Sequence, residues 1–234
     1  MTTLPAGQPS APGTEAHEQT EPLWKRTKAA SHFRNKDDEF DACKLGMWLF
    51  LTTEVLLFAG IFVAYGVFRM LYPEAWAAGS KSLGVGFGLA NTIILLISSF
   101  TVAAAIRDAQ LNRQFWLKVN LLITIACGFA FLFIKFFFEY SPKWADGKRP
   151  GAWFDYPYTT SAYEPLWWGV YYVGTGIHAA HVIIGMGVLF FMYLKARKKA
   201  FGPTHYTGVE IAGLYWHLVD VIWIFLFPLL YLVH

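Results

Sequence analysis

The stretch that decides the fold runs Glu210-Ile-Ala-Gly213-Leu-Tyr215-Trp216-His217-Leu-Val-Asp220-Val-Ile-Trp223. It is apolar enough to cross a membrane except where Glu210, His217 and Asp220 interrupt it. An ionisable side chain inside lipid costs roughly 2.5–3.5 kcal/mol on insertion scales, so such groups normally face protein or water. On a helix of 3.6 residues per turn, positions 210, 213, 217 and 220 fall on one stripe. We therefore predict a membrane helix whose polar stripe faces inward.

The composition of the whole chain agrees with a membrane protein. Of its 234 residues, 56% are hydrophobic and only 15% are charged, a balance that a soluble core of this size could not bury. The net charge is +3, but the basic residues cluster at the ends of apolar segments, which argues against nucleic-acid binding. Cys43 and Cys127 lack paired spacing, so neither a disulfide framework nor a thiolate metal site is indicated.

Five apolar segments are long enough to cross a bilayer as helices. They are about Leu45–Phe68, Leu83–Ile106, Phe115–Phe138, Leu166–Leu194 and Ile211–Val233. We predict an all-α, polytopic membrane protein built as a bundle of five transmembrane helices, with residues 41–234 forming this domain.

The segments outside the spans predict the topology. Residues 1–40 contain several prolines and glycines and no apolar run, and we expect a flexible tail without the apolar core of a secretory signal. Lys and Arg are denser before the first span and in the second and fourth connections, which favours a cytoplasmic N-terminus and a C-terminus on the outer side. The connection at about 139–165 is rich in Trp and Tyr, and we expect it to lie at the outer surface, near lipid headgroups or against a partner.

Glu54 is an acid in the middle of the first span. It lies ten residues after Lys44, roughly 15 Å along a helix axis at 1.5 Å per residue. Desolvation at that depth disfavours the charged carboxylate. Two interpretations stay open: a neutral carboxyl group hydrogen-bonded to a neighbouring helix, or a proton-exchanging, carbodiimide-reactive group.

The other polar residues inside the spans have several possible uses. His178 and His181 are three residues apart and share a helix face, so hydrogen bonding between helices, metal or haem ligation and lipid headgroup contact are all open, and the spacing favours the first. Asn91 is suited to hydrogen bonding across helices. Lys135 and Glu139 are four apart and suit an ion pair, or a lysine that snorkels outward.

Five motifs resemble one family in the same order along the chain. The helix Met47-Trp48-Leu-Phe-Leu-Thr-Thr-Glu54-Val-Leu-Leu-Phe58-Ala-Gly60 resembles the glutamate-bearing helix of subunit III of haem–copper terminal oxidases. The later motifs are Asn91-Thr92, then Glu139-Tyr140 and Thr175-Gly176-Ile-His178-Ala-Ala-His181-Val-Ile-Ile-Gly185, and finally Tyr215-Trp216-His217-Leu-Val-Asp220-Val-Ile-Trp223. The resemblance covers about Lys44 to His234, and it fits the five-helix bacterial type.

The resemblance implies a non-catalytic subunit of a proton-pumping oxidase in the bacterial cytoplasmic membrane. Such a subunit packs against subunit I, which holds the haems and copper, works beside subunit II and sometimes further respiratory subunits, and has no cofactor of its own. It binds phospholipid in a cleft and supports proton uptake. The first two helices of the family's seven-helix members are missing here, so another chain would have to complete the cleft.

The resemblance also assigns roles to residues. Glu54 would be the buried proton-linked acid. A polar bundle network would comprise Asn91, His178, His181, Glu210, His217 and Asp220. The candidates for lipid headgroup contact would be Lys195, Arg197 and His181, and no residue would be catalytic or metal-binding.

Alternative functions stay open at this point. The electron donor of the oxidase is cytochrome c or a quinol, with cytochrome c favoured, and a homologue associated with nitric oxide reductase is a third possibility. A different class is an autonomous haem-binding membrane redox protein that uses His178, His181 or His217. A small transporter with Glu54 as proton site is disfavoured, because the sequence has no inverted repeat.

Overall fold

The protein is a bundle of five long apolar helices, as predicted. The computed structural model describes residues 22–26, 30–31 and 33–233. Within these ranges there is no β-strand, only an isolated bridge between Gly202 and His205. We call the helices that are long and apolar enough to cross a membrane the first to fifth spans; they are Lys36–Leu71, Val85–Gln110, Gln114–Ala145, Glu164–Arg197 and Thr207–Leu232.

The first span begins before its predicted start at Leu45. Its first helical residue is Lys36, and the side chain of Asn35 caps the helix by accepting a hydrogen bond from the N–H of Asp38 at 2.7 Å. Acidic residues in the first turn favour this start, because they lie near the positive end of the helix dipole. Residues 1–21 of the predicted tail lie outside the described residues, and a short helix, Leu23–Arg26, precedes the first span.

The third and fifth spans each contain a wider π-helical segment. The third is α-helical over Gln114–Phe133, π-helical over Ile134–Tyr140 and α-helical again over Ser141–Ala145. The fifth changes from α-helix at Thr207–Phe227 to π-helix at Pro228–Leu232. Pro142 lies two residues after the first π-helical segment, and Pro228 begins the second. A proline lacks the N–H that the hydrogen bonds of an α-helix need. The predicted end of the third span at Phe138 is therefore too early.

The connections are short or locally structured. A helix at Pro73–Lys81 follows the first span, and a tight turn with Asn112 in the left-handed region joins the second span to the third. The connection between the third and fourth spans contains one turn of 3-10 helix, Gly151–Trp153. Its aromatic side chains include Trp153 and Tyr158, which are exposed.

Burial divides the bundle unevenly. The fifth span is the most buried, with 56% of its apolar window inside the protein, whereas only 11% of the first span's window is buried. Close packing of the fourth span on the fifth depends on Gly185, because a Cβ there would lie 2.9 Å from the ring of Trp216. The first span therefore depends less on apolar contacts with the rest of the chain and has more surface free for lipid or another polypeptide.

Candidate functional site

Glu54 meets His181 near the middle of the bundle. Glu54 Oε2 lies 2.8 Å from His181 Nε2, and the two side chains are 16% and 14% exposed. The other ring nitrogen, Nδ1, lies 2.8 Å from the carbonyl oxygen of Ile177. A carbonyl oxygen only accepts hydrogen bonds, so Nδ1 carries a proton and donates it.

This arrangement fixes the number of protons on the pair. With Nδ1–H donating to Ile177, Nε2 either accepts a proton from a neutral Glu54 carboxyl group or donates one to the carboxylate as an imidazolium. In both cases one proton lies between Glu54 and His181, and the pair is neutral overall. A neutral pair that shares one proton is tolerable inside a membrane and is suited to pass that proton on.

Three polar contacts join the first span to the later spans. Near its N-terminal end Lys44 forms a 2.9 Å ion pair with Glu210, and midway Glu54 contacts His181. Towards its C-terminal end the hydroxyl of Tyr65 donates to the carbonyl oxygen of Leu229 at 2.5 Å. These contacts are spaced along a helix that has little apolar burial. They therefore define the position of the first span against the bundle.

The predicted polar stripe of the fifth span divides between separate partners. Glu210 pairs with Lys44, and His217 Nδ1 lies 2.7 Å from the hydroxyl of Ser99. Asp220 is buried beside the side chains of Ser98 and Ser99, although within the described part of the chain neither of its carboxylate oxygens has the geometry of a full hydrogen bond. The six residues predicted as one polar network thus do not form a single hydrogen-bonded network.

His178 and Asn91 lie in the core without the hydrogen bonds expected of them. Both side chains are fully buried, and none of their polar side-chain atoms has a partner among the residues that the structure describes. Instead, the imidazole of His178 packs between aromatic rings, with centroids 5.4 Å from Phe131 and 5.2 Å from Trp223. The bond between helices that was expected at Asn91 is made by the next residue, Thr92, which accepts from the Trp223 indole N–H at 3.1 Å.

An ion pair and two tyrosines form a cluster that we call the outer cluster: Lys135, Glu139, Tyr171 and Tyr231. Lys135 Nζ lies 2.5 Å from Glu139 Oε2, 3.1 Å from the Tyr171 hydroxyl and 2.6 Å from the Tyr231 hydroxyl. Both hydroxyls also donate to Glu139 Oε2, at 3.1 Å and 2.5 Å. Neither charged side chain has any exposed surface. The expected ion pair is present, and the alternative of a lysine that snorkels outward is wrong.

The sequence did not identify the tyrosines of the outer cluster. Tyr171 and Tyr231 lie 36 and 96 residues from Lys135, and nothing in their local sequence signals a buried charge. The π-helical segments of two spans bring Tyr231 to the ion pair, because Lys135 and Glu139 lie in one segment and Tyr231 lies in the other. A proline after a polar pair near the end of a span is the one signal available in the sequence.

Two of the three predicted headgroup candidates, Lys195 and Arg197, lie at the C-terminal end of the fourth span. Lys195 lies over the ring of Phe191 at 4.6 Å and lines a cavity of about 470 Å³ together with Lys198 and Cys43. His205 lines the same cavity. Burial lowers the pKa of His205, and the positive charge of nearby lysines lowers this pKa further. His181 is engaged by Glu54 deeper in the bundle, so among the three predicted candidates it is the least suited to a headgroup.

The geometry gives no set of converging metal ligands. Within residues 22–26, 30–31 and 33–233, no group of three or more His, Cys, Asp or Glu side chains is arranged to hold a metal ion. His181 contacts Glu54 and His217 contacts Ser99. His178 is enclosed by Phe131 and Trp223, so the three histidine side chains have different neighbours and do not converge on one point.

Comparisons with known proteins agree on one family. The profile described as cytochrome c oxidase subunit III matches residues 24–234. A cytochrome c oxidase subunit 3 from Synechocystis is 33% identical over 82% of this chain and 76% of its own length. A probable cytochrome c oxidase subunit 3 from Nocardia farcinica is 29% identical, covering 81% of this chain and 87% of the relative. A haem–copper oxidase subunit I+III from Aeropyrum pernix is 30% identical over 82% of this chain but only 23% of its own length.

Proposed function

The chain belongs to the cytochrome c oxidase subunit III family, and we propose that it is the accessory subunit III of a proton-pumping haem–copper terminal oxidase. It is a multi-pass membrane protein. In the proposal, subunit I holds the haems and copper, subunit II lies beside it, and this chain supplies no redox group. Cytochrome c is the preferred electron donor, because the relatives are named as subunits of cytochrome c oxidase.

The distribution of polar groups supports an accessory role. The ionisable residues inside the spans are committed to pairwise contacts or enclosed by rings, and such contacts position helices. The Aeropyrum relative is named as a fusion of subunits I and III, which supports a lasting association of this chain with a subunit I. The weakly buried first span offers one apolar face for such a partner or for lipid.

The observation that carries the functional proposal is the Glu54–His181 pair. The two side chains share a single proton, and both keep a small exposed surface through which water or a partner's polar group can reach them. We infer that Glu54 exchanges this proton and supports proton uptake by subunit I. In the structural alternative, the carboxyl group of Glu54 only forms a hydrogen bond to a neighbouring helix. Both roles use the same contact with His181, so an experiment must distinguish proton exchange from a structural hydrogen bond.

Phospholipid binding is the second part of the proposal. Lys195 and Arg197 lie at the inner end of the fourth span, where a basic side chain meets anionic headgroups in a bilayer. The cavity beside Lys195 also has apolar walls, including Phe201 and Ile211, which suit the start of an acyl chain. The proposed orientation in a bacterial cytoplasmic membrane, with the N-terminus inside, places this cavity in the cytoplasmic leaflet.

Carbodiimide labelling of the purified oxidase complex tests the role of Glu54. The reagent dicyclohexylcarbodiimide reacts with a protonated carboxyl group in an apolar environment, and we expect it to label this chain at Glu54 and to slow proton uptake during turnover. Glu54→Gln should assemble normally, lose the label and show slowed proton uptake without reagent. Glu74→Gln is the matched control, because Glu74 is exposed, and it should behave as wild type.

Two outcomes would contradict the proposed role. If Glu54→Gln prevents assembly of the complex, Glu54 is chiefly a structural contact of the first span. If the variant assembles and takes up protons at the wild-type rate, its proton has no part in turnover. His181→Gln separates the partners further, because it removes the imidazole with which Glu54 shares its proton but keeps a polar side chain, and we expect it to change the pH dependence of labelling.

A further inference from the structure

Only one of the two carboxylate oxygens of Glu139 has hydrogen-bond partners among the described residues. Its Oε2 receives three hydrogen bonds, from Lys135, Tyr171 and Tyr231. Its Oε1 is buried and has no partner anywhere in the described ranges. A buried carboxylate oxygen without a donor is costly, because it has lost its water and gained nothing in exchange. The asymmetry indicates that a further hydrogen-bond donor belongs at Oε1.

Two side chains packed against Tyr171 also have unpaired polar atoms. The indole N–H of Trp167 and the hydroxyl of Tyr172 are buried and also lack a partner among the described residues. The ring of Trp167 stacks on that of Tyr171 with centroids 5.5 Å apart, and the ring of Tyr172 lies 5.2 Å away. The residues that contact Tyr171 thus leave two donor groups and one carboxylate oxygen unpaired, although most buried polar groups in proteins are satisfied.

Charge restricts what can bind there. Lys135 and Glu139 cancel, and the next charged side chain, Lys143, lies over the Tyr171 ring at 5.9 Å. Two lysines disfavour a cation, and an anion cannot donate to Oε1. The ligand must therefore be neutral, small and able to donate a hydrogen bond to a carboxylate oxygen. Water meets all of these conditions, and buried waters typically make about three such bonds.

We propose that the outer cluster is a water-binding site in the outer half of the membrane, with Glu139 Oε1 as its principal acceptor. The bound water completes the solvation of an ion pair that is otherwise surrounded by rings. The π-helical turn that carries Lys135 and Glu139 is consistent with this role, because π-helical turns often mark functional sites.

Radiolytic footprinting of the intact oxidase complex in ¹⁸O-labelled water tests the proposal. Radicals formed from a bound water oxidise the side chains beside it even when these are shielded from bulk solvent, and mass spectrometry detects the added oxygen. We expect oxidation at Tyr171 or Tyr231, although both are fully buried. Trp216 is the internal control, because it is also fully buried and its indole N–H is already bonded to the Ser98 hydroxyl at 3.0 Å. The proposal is overturned if Tyr171 and Tyr231 are as unreactive as Trp216.

A variant tests whether the ion pair holds the water. In Lys135→Met with Glu139→Leu, oxidation of Tyr171 and Tyr231 should fall to the level of Trp216, while the exposed Tyr158 should react as before. Undiminished oxidation of the buried tyrosines in this variant would refute the assignment to Glu139. If the variant does not assemble, the wild-type comparison with Trp216 still decides.

Discussion

The outer cluster makes a quantitative prediction about buried charge. Replacing Lys135 alone by Met leaves the Glu139 carboxylate buried with two tyrosine hydroxyls as its remaining donors. Replacing Glu139 alone by Leu leaves the ammonium group among phenol oxygens and aromatic rings. Each single change removes one partner of a pair with no exposed surface, so each should destabilise the protein by about 3–5 kcal/mol.

The double replacement Lys135→Met with Glu139→Leu should behave differently. It removes both charges, together with the cost of burying them, and substitutes apolar side chains of similar volume. Such exchanges in other proteins range from neutral to about 1–4 kcal/mol more stable. The double variant also leaves the buried hydroxyls of Tyr171 and Tyr231 without these partners, which costs about 1–3 kcal/mol for each group left unpaired. It should still lose less stability than the two single losses added together, because no buried charge is left without a partner.

A double-mutant cycle measures this coupling. The free energy of unfolding is obtained for the four proteins by titrating mixed detergent micelles with a denaturing detergent and following the loss of helical circular dichroism. We expect two unstable single variants and a double variant that loses less stability than the sum of the two single losses. A double variant as unstable as the sum of the singles would refute the reasoning, because it would mean that the hydroxyl contacts or the helix shape, and not paired charge, stabilise this region.

Two further predictions concern packing and pH. Gly185→Ala should destabilise the contact between the fourth and fifth spans by about 1–3 kcal/mol, because the added methyl group meets the Trp216 ring. The control is Gly187→Ala, which should be neutral or slightly stabilising, because a Cβ at Gly187 has nothing within 4 Å. Thermal unfolding of the two variants compares these effects. The lowered pKa of His205 means that the unfolded chain binds its proton more readily, so stability should fall as the pH drops below about 6.5 and level off below the folded-state pKa. His205→Asn should flatten this dependence in melting curves recorded from pH 8 to 5, and an unchanged slope would contradict it.

Much of the fold follows from the sequence because lipid imposes simple rules. Long apolar segments must become helices, and charged residues such as Glu210 must turn towards protein, which the Lys44 pair confirms. The span ends were less predictable. The N-terminal cap at Asn35 extends the first span beyond its apolar residues, and Pro142 widens the third span without ending it.

The partners of the polar groups could not be read from local patterns. Spacing puts His178 and His181 on one face, but only packing decides that His181 reaches Glu54 while His178 is enclosed by rings. The same holds for Tyr231, whose contact with Lys135 joins residues 96 positions apart. Periodicity reports which way a side chain points along its own helix, and it contains no information on which helix lies opposite.

The central claim is that this chain works as a subunit whose redox chemistry lies in its partners. The most direct test is to isolate it through an affinity tag in mild detergent, record the visible spectrum, and then separate the chain and record it again. We predict that the isolated complex contains haem together with a large catalytic subunit, and that the separated chain has no Soret band. A chain that purifies alone and retains one haem per polypeptide would contradict the account.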